Sequence, residues 1–391
     1  MDLEYWWLLA LPFFFALGWL AARIDIKQLV TESRALPASY FKGLNFLLNE
    51  QPDKAIEAFI EVVKVDPQTV ELHFALGSLF RRRGEVDRAI RMHQNLVERP
   101  DLQQEQKLAA LYELAQDYLK AGLLDRAEEL FLKLEGTPHA EPALKFLLEI
   151  YQQEKDWQKA IGIAQKLESV TGRSHQKEIA NFYCELAGSE MRDTRPQAAR
   201  PYLDSALAHH RLCVRANILL GDLELSGGNV DAAVDAWKRI ESQNPAYLSL
   251  VAERLYNAYR DHGLAEEGLN LLRGYLEKYP SLDALNVVFQ ATLDQHGPEQ
   301  AYRLARDELR RTPTLLGLDK LLEAQLLEAP MDRRRDLELM RSLVNQHTQS
   351  LAMYRCDNCG FRARQYYWHC PACASWETYS PRRTEEKTVP A

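Results

Sequence analysis

The chain has 391 residues, of which 46% are hydrophobic and 27% are charged, a composition typical of globular proteins. This length suffices for two or three ordinary domains or for one long repeat array. The formal net charge of −8 argues against a general nucleic-acid-binding protein, because such proteins are usually basic. Arginine clusters at 81–83, 310–311 and 333–335 have acidic residues close by and are therefore expected to be solvated helix ends.

The first predicted element is a transmembrane anchor at residues 1–22, followed by a juxtamembrane linker at 23–35. Residues 5–22 read YWWLLALPFFFALGWLAA, an uncharged run about long enough to cross a bilayer core as a helix. Acidic residues precede the run and basic residues follow it: Asp2 and Glu4, then Arg23, Lys27 and Arg34. Because positive flanks stay on the cytoplasmic side, we expect a single-pass protein with its C-terminal body in the cytoplasm.

The alternative for this segment is a cleaved signal peptide. A signal peptide requires a basic N-terminal region and a small-residue cleavage site. Here the N-terminal region is acidic and the run ends Trp-Leu-Ala-Ala-Arg at residues 19–23, a poor cleavage site, so the anchor is favoured.

Residues 36–347 are predicted to form a tetratricopeptide-repeat array. In the first unit, Gly43, Phe46, Ala55 and Phe59 occupy the small, aromatic, alanine and aromatic positions of this repeat. About eight units start near residues 36, 70, 108, 141, 180, 214, 249 and 282, at intervals of 33 to 39 residues. The alanine of the frame recurs at Ala89, Ala127, Ala160, Ala199, Ala233 and Ala301. Residues 314–347 keep a helical leucine spacing and are predicted to be a capping pair of helices.

Each repeat unit is expected to be a helical hairpin. The small residue in the first helix lets the second helix approach closely. One hairpin cannot bury its apolar face alone, so neighbours stack into a superhelix. The surface lined by the first helices of such arrays usually binds extended peptides or partner helices.

No catalytic motif stands out along the chain, and we predict that the protein is not an enzyme. The sequence lacks a glycine-rich phosphate loop, a serine nucleophile elbow and a His-Glu-x-x-His motif. His209 and His210 are expected to lie at the exposed C-terminal end of a helix. Cys184 and Cys213 lie in apolar helical patterns and are expected to be buried structural thiols.

The last predicted element is a small metal-binding module at residues 351–380, followed by a tail at 381–391. Two Cys-x-x-Cys turns, or knuckles, provide four thiols that can surround one Zn²⁺ or Fe ion as a structural metal. The predicted ligands are Cys356, Cys359, Cys370 and Cys373. A redox dithiol would need a βαβ context, two disulfides would need an oxidising compartment, and electron transfer would need a redox partner.

The module is rich in aromatic residues for its size. So small a unit has almost no core of its own, so the aromatic side chains are expected to dock it on the repeats. The short connection at residues 349–351 points to the last repeats as the docking site.

The order of anchor, repeat array and rubredoxin-like module resembles one bacterial family, lipopolysaccharide assembly protein B. The stretches that carry the resemblance are GLNFLL at 43–48, RGEVDRAIRMHQ at 83–94, FYCELA at 182–187 and YWHCP at 367–371. The resemblance implies an all-α superhelix with an N-terminal transmembrane helix, and metal ligation by the same four cysteines. The spacer between the knuckles is shorter than in electron-transfer rubredoxins, which argues further against a redox role.

The resemblance also implies a function. Members of this family are non-catalytic adaptors of the inner membrane. They promote degradation of the LpxC-type lipid A deacetylase by the membrane-anchored FtsH-type AAA+ protease. The alternative is a scaffold that assembles other lipopolysaccharide assembly proteins without a proteolytic role. A nucleic-acid-binding zinc ribbon is a third class, which a membrane tether disfavours.

Overall fold

The computed structural model describes residues 12–19, 38–49, 51–65, 70–193, 195–351 and 353–383. Most of the predicted membrane span and all of the linker at 23–35 lie outside these residues. The described part of the span, residues 12–19, is helical and exposed. Within the described ranges, no helix is both long enough and apolar enough to cross a bilayer.

Helical hairpins build most of the described chain after residue 37, which confirms the predicted repeat architecture. A 3₁₀ helix, Pro245–Leu250, precedes the seventh pair, and a two-stranded antiparallel sheet follows the last. The helix pairs are α1 (Ala38–Leu48) with α2 (Pro52–Val65), α3 (Val70–Arg82) with α4 (Val86–Glu98), α5 (Gln104–Lys120) with α6 (Leu124–Leu132), α7 (Ala140–Glu154) with α8 (Trp157–Thr171), α9 (Gln176–Arg192) with α10 (Pro196–His209), α11 (Val214–Ser226) with α12 (Val230–Gln243), α13 (Ala252–Asp261) with α14 (Ala265–Lys278), α15 (Leu282–His296) with α16 (Pro298–Arg311), and α17 (Leu315–Glu328) with α18 (Met331–Leu351). The strands are β1 (Tyr354–Arg355) and β2 (Arg362–Ala363).

The small residues of the repeat frame allow the two helices of a hairpin to pack closely. A methyl group added at Gly43 would lie 2.5 Å from a ring carbon of Phe59, and one added at Gly221 would overlap the indole of Trp237. The alanines of the frame that the sequence predicts are all fully buried. The repeat pattern therefore reflects close helix packing inside each hairpin.

The chain divides into two compact units, Met1–Ile150 and Tyr151–Ala391. In the first unit, Arg81 at the end of α3 forms ion pairs with Glu113 at 2.6 Å and Asp117 at 2.7 Å. Asp117 also lies 2.5 Å from Nδ1 of the buried His93. The expectation of a solvated helix end is wrong for Arg81, because the next hairpin covers its side chain.

The second unit has its core between α11 and α15, around the fully buried Trp237. Cys184 and Cys213 are buried with their sulfur atoms 3.9 Å apart, as expected of structural thiols. Helix α18 then runs for 21 residues and leads into the small sheet and the cysteine knuckles.

Candidate metal centre and its docking surface

The four predicted metal ligands converge on one point. The sulfur atoms of Cys356, Cys359, Cys370 and Cys373 all lie within 4.8 Å of one another. The distance is 3.8 Å between Cys356 and Cys373 and 3.7 Å between Cys359 and Cys370. A tetrahedral ion with metal–sulfur bonds of about 2.3 Å places its sulfur atoms about 3.8 Å apart, whereas a disulfide needs about 2.05 Å. The donor set and its spacing therefore fit one structural metal ion, either Zn or Fe.

The two knuckles share one backbone design. In the first, the Cys356 amide donates to the carbonyl of Phe361 and the Gly360 amide donates to the carbonyl of Cys356, each at 2.9 Å. The second knuckle repeats both bonds at the same distances around Cys370. The residue after each knuckle lies in the left-handed region, with φ of +77° at Gly360 and +54° at Ala374. Each pair of sulfurs is thus aimed by a turn of the same shape.

Polar side chains support the thiolates. The hydroxyl of Thr378 lies 3.2 Å from the Cys356 sulfur. The Asn358 amide nitrogen and the Ser375 hydroxyl each lie 3.5 Å from the Cys373 sulfur. Hydrogen bonding with Ser375 and Asn358 lowers the pKa of the Cys373 thiol to about 6. These contacts favour the deprotonated form, which is the form that binds a metal.

The module contacts the repeats along a docking surface that runs from Gln152 to Asp283. Trp376 anchors the module at the Gln152 end of this surface. Its indole N–H donates to Oε1 of Gln152 at 2.8 Å. Its ring makes edge contacts with Trp157 and Phe182, with centroids 5.9 Å and 5.6 Å away. The His369 ring stacks on the same indole with centroids 4.5 Å apart. The segment that follows the second knuckle is therefore packed against α7, α8 and α9.

The middle of the docking surface combines a hydrogen bond from a buried asparagine with a cation. The fully buried Asn181 donates to Oε1 of Glu377 at 2.9 Å. The guanidinium of Arg215 lies 5.7 Å from the ring of Trp368 and 5.8 Å from that of Trp376. Cation–π contacts at these distances are favourable, more so when water is excluded.

The far end of the surface lies on the 3₁₀ helix and α15. Trp368 stacks on Tyr247 with centroids 5.5 Å apart and planes 9° from parallel. The Tyr354 hydroxyl donates to Asp283 at 2.8 Å, and Arg383 pairs with the same carboxylate at 3.2 Å. The contacts of the module thus extend from the fourth helix pair to the eighth.

The expectation that the module docks on the last repeats is correct only in part, because the module reaches the eighth unit at Asp283 but also contacts earlier units as far back as Gln152. Helix α18 has 21 residues and spans about 32 Å at 1.5 Å per residue, so it carries the chain back before the module begins. The repeat residues that hold the module are Gln152, Asn181, Arg215, Tyr247 and Asp283.

Sequence reasoning did not find these repeat residues. Trp376 and Gln152 are 224 positions apart, so no local spacing connects them. The aromatic content of the module predicted that docking occurs but gave no partner. Elsewhere, His209 ends α10 with its Nδ1 at 2.8 Å from Oε1 of Gln176. In the described part of the chain, the four cysteines are the one group of His, Cys, Asp or Glu side chains placed to hold a metal.

Comparison with known proteins identifies both parts of the described chain. A rubredoxin metal binding domain matches residues 354–381, and a tetratricopeptide repeat matches residues 42–101 and 184–247. The chain is 38% identical over 378 residues to lipopolysaccharide assembly protein B of Escherichia coli K12, covering 96% of this chain and 97% of that protein. It is 33% identical over 394 residues to the protein of the same name from Haemophilus influenzae Rd, covering 97% and 98%.

Proposed function

Since the chain belongs to the lipopolysaccharide assembly protein B family, we propose that it is a non-catalytic adaptor that regulates lipopolysaccharide synthesis at the bacterial inner membrane. The adaptor presents the LpxC-type lipid A deacetylase to the membrane-anchored FtsH-type protease and so promotes its degradation. Full-length homologues that carry this name support a role in lipopolysaccharide assembly. The repeat fold supports an adaptor role, because such arrays usually bind other proteins.

The observation that carries the proposal is the docked module. In the second unit, the chain's own module contacts the first helices of several hairpins, which line the face that repeat arrays usually offer to peptides. A partner therefore meets a composite surface made of repeats and module. When bound, the metal ion holds four thiolates together and so supplies the fold of the module. This arrangement supports a structural role for the metal in shaping a binding surface.

The proposed N-terminal anchor adds a tether. A single-pass segment at residues 1–22, with the body on the cytoplasmic side, keeps the adaptor beside a membrane-bound protease. Tethering raises the effective concentration of a captured client near the protease without any new contact. Other lipopolysaccharide assembly proteins are further partners under this proposal.

The half-life of the deacetylase in cells tests the proposal. Depletion of this protein should lengthen that half-life severalfold, and the full chain should restore it. A chain without residues 1–22 should not restore it. The matched control replaces residues 1–22 with an unrelated single-pass anchor of the same orientation, which should restore turnover if the segment is only a tether. An unchanged half-life on depletion would contradict the adaptor proposal.

The same depletion experiment distinguishes the adaptor proposal from the scaffold alternative. A scaffold predicts that depletion leaves the half-life constant while lipopolysaccharide biosynthesis and transport proteins no longer co-purify. The adaptor predicts that the half-life changes first, before any loss of those complexes.

A further inference from the structure

The second unit contains a cleft away from the metal centre. It has a volume of about 770 Å³ and opens between α14, α15, α16 and α17. This size lies within the usual range for pockets that hold small molecules. Its walls carry six leucines, namely Leu276, Leu282, Leu285, Leu309, Leu315 and Leu318.

The walls of this leucine cleft offer little hydrogen bonding to a ligand. Ser281 and Thr314 line it, but each hydroxyl caps a helix. Ser281 accepts from the Ala284 amide at 3.4 Å, and Thr314 accepts from the Gly317 amide at 3.0 Å. Burial raises the pKa of the Glu308 carboxyl in the same wall, which reflects its apolar surroundings. The interior therefore favours a hydrocarbon chain over a polar ligand.

The mouth of the leucine cleft carries one cation in excess. Arg382 and Arg383 both line the cleft. Arg383 pairs with Asp283 at 3.2 Å, and Glu308 pairs with Arg311 at 2.7 Å, so these charges compensate each other. Arg382 is exposed and forms no ion pair with the residues that the structure describes. An anionic group at the mouth would complement this charge.

The docked C-terminal end of the chain positions this cation. The Ser249 hydroxyl lies 3.0 Å from the carbonyl of Ala246 and 3.4 Å from that of the buried Pro381, and the Arg382 amide donates to the hydroxyl of Ser380 at 3.4 Å. The backbone before Arg382 thus packs against the 3₁₀ helix. The mouth of the cleft is complete only while the module is docked.

We propose that the leucine cleft binds a free single-chain anionic amphiphile, with its alkyl chain between the leucines and its head group on Arg382. This inference goes beyond the adaptor function, because it requires no partner protein. A ligand that spans the repeats and Arg382 also stabilises the docked module by mass action. Binding therefore links the concentration of an acyl compound to the state of the module.

Calorimetric titration of the full-length chain with dodecyl phosphate tests the inference. The chain is solubilised in an amphipathic polymer, so that no free detergent competes. We expect saturable binding at one site, and binding weakened about tenfold with dodecanol, which lacks the charge. Leu315→Trp should abolish binding by filling the cleft, whereas Leu327→Trp, an exposed leucine on the same helix, should not. Arg382→Ala should weaken binding about tenfold, and the exposed Arg335→Ala should leave it unchanged.

Four results would overturn the inference. The first is the absence of saturable binding to the natural sequence. The second is binding that survives Leu315→Trp, provided that thermal unfolding shows the variant to be folded. The third is binding that occurs only with a chain ending at Arg383, since the segment 384–391 would then be the occupant of the cleft. Vesicles containing an anionic lipid should not compete with dodecyl phosphate, because the proposed ligand is a free amphiphile. Full competition by them would assign the cleft to a membrane surface and also overturn it.

Discussion

At the scale of single residues, the two knuckles differ at the residue that follows each of them. Gly360 and Ala374 both have positive φ, and only glycine adopts this conformation without strain. The sequence identified the cysteines because their paired spacing is distinctive. It did not identify the strain at Ala374, because a Cys-x-x-Cys-Ala sequence is compatible with other backbone conformations. Backbone strain of this kind is seen only in the three-dimensional structure.

Substitutions at these two positions should have opposite effects. Ala374→Gly should stabilise the module by about 1 kcal/mol by relieving left-handed strain, and Gly360→Ala should destabilise it by a similar amount. A methyl group at Gly360 would come no closer than 3.9 Å to a neighbouring side chain, so the expected effect is conformational and not steric. The rate at which a chelator removes the metal is the readout. Equal rates in both variants would contradict the prediction.

Tyr275 should make the second unit sensitive to alkaline pH. Burial raises its pKa to about 12, and its hydroxyl donates to the carbonyl of Pro245 at 2.8 Å. In the unfolded chain the phenol has a pKa near 10. The contribution of Tyr275 to the free energy of unfolding is therefore complete below about pH 10 and is lost as pH rises through about 12. The loss amounts to about 2 to 3 kcal/mol.

Urea unfolding as a function of pH measures this effect. The free energy of unfolding of Tyr275→Phe should fall less steeply than that of the natural sequence between pH 10 and 12. Between pH 7 and 9 the two proteins should have parallel curves, which serves as the internal control. Parallel curves above pH 10 as well would contradict the assignment.

At the scale of elements, the sequence predicted the hairpins but assigned the module to too few of them, since it contacts Gln152 and Asn181 as well as Asp283. The glycine and alanine positions identified the helix pairs because each reports a close contact within one hairpin. Helix α18 was recognised only as a capping element. The length of this helix determines where along the repeats the module docks. The sequence did not predict that length, because a pattern of leucines does not define where a helix ends.

Trp376→Ala should undock the module while leaving its metal in place. The indole contacts Gln152, Trp157 and Phe182, and its removal should cost about 2 kcal/mol or more of docking free energy. Hydrogen exchange should rise in α9, and a protease should cut before residue 353. The module residue Phe361 is exposed, and Phe361→Ala is the matched control that should leave exchange unchanged. Loss of metal from Trp376→Ala would indicate a folding defect of the module instead.

At the scale of the whole molecule, the fold class and the convergence of the four cysteines were accessible from sequence because each rests on a repeated local pattern. The docking surface was not, because it joins residues that are 196 and 224 positions apart. Such contacts follow from the path of the whole chain, and a single sequence carries no spacing signal for them. The composite surface of repeats and module therefore follows from the complete fold and not from any local sequence pattern.

Removal of the metal should expose the covered face of the repeats. We expect a chelator to unfold residues 353–383, since four thiolates without a cation supply no core, and to leave the helices of the second unit in place. Binding of a hydrophobic dye should increase as Tyr247 and Phe182 become exposed. Elemental analysis beforehand should give one Zn or Fe per chain. The double variant Cys184→Ala, Cys213→Ala keeps all four ligands and should retain its metal. A module that stays protected after complete metal removal would contradict a structural role for the ion.

The separation between Trp376 and Gln152 has a consequence for the order of events during synthesis. Ribosomes add about 5 to 20 residues per second, so about 10 to 45 s pass between translation of Gln152 and of its partner 224 positions later. The repeats can fold during this interval, and their aromatic face then stays uncovered until the module leaves the ribosome. A prematurely terminated chain would keep that face uncovered permanently. Docking therefore requires translation as far as the module, and a chain that stops earlier should expose this aromatic surface to proteases and chaperones.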